Sequence, residues 1–317
     1  MRKILCLLAF YGFAAAQPAL QEKFELLEST SIAVRREAVM QIGKMRSPAA
    51  MSRLVEVLEN DTDFGVRASA AEALGNIRNK ASTPALVKAL GDENKNVKSS
   101  VIIAMGYMRD RTAVDPLLSF LGKEKDTGLR ISAINVLGVI GDERALPTFA
   151  KLLKDENPRI KTISAQALGR LRKPAAVEPL LESSKDENYN VRLYSIRALG
   201  EIGDKSAVKD IGKLLKLEKD DKNKVAIAYT LGMLGSIEGF SVALAAAGSP
   251  DMALKKEGLK AIGVIGKVTP EAEEIIIEAW KSSDKGLKRS AEMAASSLKI
   301  KLPEPAKKKE TKTKENK

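Results

Sequence analysis

The polar and apolar positions of this chain recur in a fixed frame. In NVRLYSIRALGEIGD, Asn190 to Asp204, one side is built from Val191, Ser195, Ala198, Leu199 and Ile202, at offsets of four, seven, eight and eleven from the first. That is the 3.6-residue period of a helix with one buried stripe. The same frame returns at Gly43, Gly75, Gly106, Gly138, Gly169, Gly200, Gly232 and Gly263, at intervals of 31 or 32 residues. Spacing this regular marks a repeat architecture rather than an ordinary globular core. Nine residues before each glycine the stripe opens, at Val34, Val66, Val97, Leu129, Ile160, Val191, Asn223 and Leu254. A ninth copy opens at Leu287 and carries Ser296 where the glycine would stand.

Between successive copies lies a second apolar segment, such as Ala113 to Leu121, so each repeat reads as two antiparallel helices. Proline placement agrees, because proline is tolerated in the first turn of a helix and breaks its interior. Pro48, Pro84, Pro116, Pro147, Pro174, Pro179 and Pro270 fall at or near the starts of first helices, and Pro158 opens a second helix behind Asn157. Three residues before the opening positions stand Ser31, Asp63, Asn94, Asp126, Asn157, Asn188, Asp220, Asp251 and Asp284, all good N-caps. The endings GEIG, GVIG and GMLG place glycine where the helix stops. GKMR, GNIR, GYMR and GRLR place arginine there, favourable at the negative end of the helix dipole. One such pair is too small to bury its own stripe, so neighbours must stack. The expected fold is all-α, an α–α superhelix of about nine helix pairs over residues 17–300, with Ala19 to Glu28 completing the first pair.

The pattern V-R-x-x-A-x-x-A-L-G-x-I-G-D, as it stands from Val191 to Asp204, resembles the short HEAT-like repeats also found in phycobilin lyases, over about residues 19–300. The resemblance implies a solenoid in which the second helix of each pair lines the concave surface, and an Asp/Arg ladder joining adjacent repeats. It says little of activity, because such repeats serve scaffolds, lyases and a hydroxylase family alike.

Composition sharpens the picture at the two ends. Residues 1–16, MRKILCLLAFYGFAAA, have Arg2 and Lys3, an apolar run from Ile4 to Phe13, and Ala14 and Ala16, the layout of a secretory signal peptide too short to span a bilayer. Cleavage after Ala16 removes Cys6, the sole cysteine, and an exported chain without disulfides points to a bacterial periplasm. No later segment reaches spanning length. The chain carries a formal net charge of +12, of which seven lysines and three glutamates sit in residues 301–317, a tail too polar to pack and expected to be disordered.

Catalytic options are thin. With no histidine and no cysteine in the processed chain, the sequence offers no His/Cys metal site, no thiol nucleophile and no imidazole base. The histidine motifs of a HEAT-type deoxyhypusine hydroxylase are missing, no cofactor is expected, and an export signal argues against bilin-lyase-like activity on a cytoplasmic partner. Asp92, Asp155 and Asp186 of the recurring DEN could bind calcium only weakly and suit capping better.

Two features remain. The residue after each opening position is basic: Arg35, Arg67, Lys98, Arg130, Lys161, Arg192, Lys224, Lys255 and Lys288. Its perfect period favours an interrepeat ladder, each cation paired with the acidic or Asn residue of the preceding turn, over a phosphate-binding stripe. The aperiodic positions lie six and ten residues after the opening: Ile103 and Tyr107, Asn135 and Val139, Gln166 and Arg170, Arg197 and Glu201, Tyr229 and Met233, Lys260 and Val264. Apolar groups there suggest a partner surface made of Ile103, Tyr107, Asn135, Val139, Arg170, Arg197, Tyr229 and Met233. Trp280 reads as core packing. The expected function is a non-enzymatic, exported scaffold that binds a protein or peptide on the concave face. The alternative is binding of an anionic envelope polymer or membrane surface through the basic stripe and tail; no nucleic-acid partner is expected.

Overall fold

The structure, a computed structural model, describes residues 18–303. The export signal expected at residues 1–16 and the tail from residue 304 onward lie outside the described residues. Among the described residues every regular element is helical. The chain divides into two compact units, Met1–Pro179 and Leu180–Lys317.

Helices come in pairs, a first helix A and a second helix B. In the first unit the pairs are α1 (18–26) with α2 (Ile32–Met45), α3 (Met51–Asn60) with α4 (Phe64–Ile77), and α5 (Thr83–Ala89) with α6 (Lys95–Met108). They continue with α7 (Val114–Lys123) and α8 (Thr127–Ile140), then α9 (Leu146–Leu152) and α10 (Pro158–Leu171). The division falls within α11 (Val177–Ser183). The second unit holds α12 (Tyr189–Ile202), the pair α13 (Val208–Leu217) and α14 (Asp221–Met233), the pair α15 (Phe240–Ala247) and α16 (Met252–Ile265), and the pair α17 (Pro270–Trp280) and α18 (Lys285–Leu298). Within each unit every B helix packs on the next, α2 on α4, α6, α8 and α10, and α12 on α14, α16 and α18, with A helices in a second layer. The all-α solenoid expected from the 31-residue period is what the chain adopts.

Local chemistry sets these boundaries. Eight of the nine expected N-caps accept backbone N–H bonds into their own helix, as when Asp63 Oδ1 takes those of Gly65 and Val66 at 2.9 and 3.0 Å. Ser31 is the exception: its backbone is extended as a cap requires, yet its hydroxyl makes no cap bond. The A helices hold a feature not read from the sequence. From α3 through α13 each is entered through a single 3-10 turn, and Asn79, Asp110, Asp142 and Asp204 cap four of these turns.

The B-helix ends correct the arginine reading. Arg46, Arg78, Arg109 and Arg172 do lie at the negative end of the helix, but each adopts left-handed backbone, φ 49°, 57°, 48° and 50°, at the position where Gly141, Gly203 and Gly266 stand in other repeats. A side chain there is strained, and glycine is not. The repeated ALG glycine has a different task. A Cβ on Gly75 would stand 2.8 Å from the Ala104 Cα of the next B helix, and one on Gly43 would stand 2.8 Å from the Ala73 Cβ. These glycines let consecutive B helices approach almost backbone to backbone. The core beneath is aliphatic, with Leu74, Ile102, Leu137 and Phe149 fully buried in the first unit. In the second, one cluster runs from Val225 through Leu259 and Ile276 to Ala295. Trp280 packs against that cluster, and Lys288 Nζ lies 4.8 Å from the centre of its ring.

Candidate functional site

The basic stripe and the aperiodic outer positions are the two candidates. The stripe forms a ladder, but with its partner on the other side from the one expected. Arg35 donates from Nε and Nη2 to Asp61 at 2.7 and 2.9 Å, and Arg67 likewise to Asp92 at 2.8 and 3.1 Å. Lys98 meets Glu124 at 3.4 Å, Arg130 meets Asp155 at 2.6 Å, and Arg192 meets Glu218 at 2.9 Å. The acidic partner sits 25 or 26 residues further on, in the following repeat, not at the preceding turn. What the cation takes from its own turn is a backbone carbonyl: Arg35 Nη1 donates to Ser29 O, Arg67 to Asp61 O and Arg192 to Asp186 O.

Each rung carboxylate also accepts the backbone N–H two residues ahead, such as that of Asn94 at 2.8 Å from Asp92. Burial pushes the Asp61, Asp92 and Glu218 carboxyls up; the guanidinium and N–H bonds outweigh it and hold each below its ordinary value. Asp92 and Asp155 therefore spend their oxygens on the ladder and the turn, and Asn94 and Asn157 do the helix capping. The ladder changes in the second unit, where Ser249 and Ser282 take the rung position and accept only the turn N–H of Asp251 and Asp284. Lys224 there pairs with Asp221 of its own helix.

Of the expected partner-surface residues, Ile103, Tyr107, Val139, Arg170, Arg197 and Met233 are exposed on their B helices, and Asn135 and Tyr229 are half-buried. In the first unit Ile103 and Tyr107 of α6, Asn135 and Val139 of α8 and Arg170 of α10 lie on consecutive helices. Tyr107 is 51% exposed, yet its ring leans back over α4, with Cδ2 3.4 Å from the place a Cβ on Gly75 would take. Arg170 leans over Gly138 in the same way, at 3.6 Å.

In the second unit the corresponding positions enclose a groove of about 490 Å³ across α12, α14 and α16. Arg197, Tyr229 and Met233 all line it, as do Glu201 and Lys260. Leu193, Val225 and Leu254 supply apolar lining between them, and Met233 Sδ covers Gly200 at 3.1 Å from the Cβ position. Charge is uneven. Lys260 is neutralised by Glu257 at 2.7 Å, whereas Arg197, Lys222 and the one further acid, Glu201, have no ion pair among the described residues, a net excess of one positive charge. The Arg197 guanidinium instead lies 5.7 Å from the ring of Tyr194. Burial pushes the Tyr189 hydroxyl up, so it stays a neutral donor at the groove's edge. Such a site suits an apolar side chain flanked by an acidic group.

Tyr189, Leu193, Lys222 and Val225 line this groove and were not among the expected site residues. They sit at or near the starts of α12 and α14, outside the offsets of six and ten residues from the opening position. The offsets themselves also apply to Met40 and Met293, exposed on α2 and α18 and likewise passed over.

A family model described as HEAT repeats matches residues 20–94, 83–150, 114–189 and 179–247. Among solved structures, the complex of CpcE and CpcF of phycocyanin lyase from Nostoc sp. PCC7120 aligns at 21% identity over 78% of this chain and 93% of that one, with a TM-score of 0.44. An engineered protein aligns at 19% identity over 88% of both chains, TM-score 0.48. Human deoxyhypusine hydroxylase in complex with glycerol aligns at 19% over 82% of this chain and all of that one, TM-score 0.36. No curated protein sequence matches the chain.

Proposed function

The chain belongs to the HEAT-repeat family, and on that premise we propose that it is an exported, non-enzymatic scaffold that binds a protein or peptide partner on the concave face lined by its B helices. The observation that carries this reading is the groove across α12, α14 and α16. It joins three of the expected partner-surface residues, Arg197, Tyr229 and Met233, to an apolar lining, with two cations, Arg197 and Lys222, and one acid, Glu201, outside any ion pair among the described residues. A partner segment placing an aliphatic or aromatic side chain between Tyr229 and Met233, with a carboxylate toward Arg197 or Lys222, satisfies both features. Five of the nine stripe cations, Arg35, Arg67, Lys98, Arg130 and Arg192, are spent on the ladder and so do not compete for this role. The signal-like layout of residues 1–16, with no cysteine after it, supports an encounter in a bacterial periplasm.

Site-specific photocrosslinking in cells tests this. A photoreactive residue in place of Met233 is expected to give one dominant adduct in the periplasmic fraction, which Tyr229→Asp reduces at least tenfold. The same probe at Ser52, on an A helix, should give none. Equal adducts from both positions would remove the groove from the reading, and retention in the cytoplasm of the full-length chain would remove export.

A further inference from the structure

The A layer of the second unit has a charge pattern that the partner groove does not use. On α13 and the turn before it, Lys205, Lys209, Lys213 and Lys216 are all exposed and follow one stripe at offsets of four, eight and eleven. They line a groove of about 500 Å³ whose single acid is Glu238. On α17, Glu271, Glu273, Glu274 and Glu278 are all exposed, and the last three line a groove of about 510 Å³ whose single base is Lys281. At the helical rise the lysine run covers about 16 Å and the glutamate run about 10 Å, so the glutamates fit within the span of the lysines.

Few of these charges are satisfied at home. Lys213 pairs with Asp210 at 2.7 Å; Lys205, Lys209, Lys216 and the four glutamates have no ion pair among the described residues. A helices of the first unit differ. On α3, Arg53 joins both Glu28 and Glu56, and Glu59 meets Lys88 at 3.2 Å, so opposite signs are mixed and paired. In chain order the A helix between α13 and α17 is α15, whose exposed positions are small, Ser241 and Ala245.

We infer that this face binds a second copy of the chain, with α13 of each copy against α17 of the other across a two-fold axis running along α15. The axis makes the contact occur twice, which a self-complementary surface requires. Short side chains along α15 let the two copies come closest at the centre, and the long lysine and glutamate side chains bridge the flanks. Lone Glu238 and Lys281 keep each groove from being uniformly charged. The association is electrostatic and is weakened by salt.

The test is sedimentation equilibrium of the processed chain over a concentration series at about 20 mM and about 500 mM salt. A dimer at low salt whose dissociation constant rises at least tenfold at high salt is expected. Two charge-reversed chains extend the test: an all-acidic one, Lys209→Glu with Lys213→Glu and Lys216→Glu, and an all-basic one, Glu273→Lys with Glu274→Lys and Glu278→Lys. Each alone should be monomeric, with a helical circular dichroism spectrum, and their equimolar mixture should dimerise again. A monomeric wild-type chain at low salt overturns the inference even if a variant fails to fold. So does a mass that keeps growing past two copies, or dimerisation of either reversed chain alone.

Discussion

At the scale of single residues, two kinds of glycine position have opposite consequences. Gly75 is helical and crowded, so its methyl would press on the backbone of α6 at Ala104. Gly75→Ala is expected to destabilise by about 1–3 kcal/mol, since backbone cannot move aside as a flexible side chain can; urea unfolding measures it. Arg78 is the reverse case, a bulky residue at φ 57°. Arg78→Gly relieves left-handed strain, partly offset by the greater freedom of glycine in the unfolded chain, and should raise stability by about 0.5 kcal/mol. Finding the same sign of change for both substitutions would contradict this assignment of roles. The sequence marked both positions but attributed arginine at the helix end to the dipole. An arginine there looks the same on paper whether it is relaxed or strained, and only the backbone angle separates the two.

At the scale of the element, the turns that enter the A helices are held by carboxylates of lowered pKa. Asp142 is the plainest, brought to about 2 by side-chain bonds from Arg144 and by that residue's backbone N–H. Arg144 also reaches Asp115 at 2.5 Å and the carbonyl of Arg111, tying the fourth repeat to the fifth. A carboxyl with a folded pKa below its unfolded value of 3.8 adds stability that is present above pH 4 and lost as pH falls through about 2. Asp142→Asn is therefore expected to lower the melting temperature by about 2–4 °C at pH 7. The gap from wild type should close as the pH approaches 2 in circular dichroism melts, and a constant gap would mean the carboxylate's charge is not what matters. The 3-10 turns that Asp142 and its counterparts cap were not legible beforehand, because Asp-x-x-Ala ahead of an apolar run reads equally as an ordinary α-helical start. The helix pairs themselves were legible, since period, caps and prolines all agreed on them.

For the molecule as a whole, the periodic part of the sequence determined the fold and the aperiodic part only sampled the site. Arg197, Tyr229 and Met233 were found because they break the period on an outer face, and the structure joins them in one groove. Leu193 and Val225 could not be found that way, since they look like core residues of their own helices and line the groove from below. The charges on α13 and α17 escaped for a related reason: each run is an unremarkable solvated face until both are placed among the A helices, on either side of α15 in chain order. The ladder has a consequence for how such a chain changes length. Because the cation of each rung belongs to one repeat and its carboxylate to the next, a single 31- or 32-residue period carries one of each. Recombination that inserts or removes a whole period among the carboxylate-bearing repeats leaves every cation facing an acid, while an out-of-phase cut strands both. Growth and shortening can then proceed in whole steps, with each new junction already furnished.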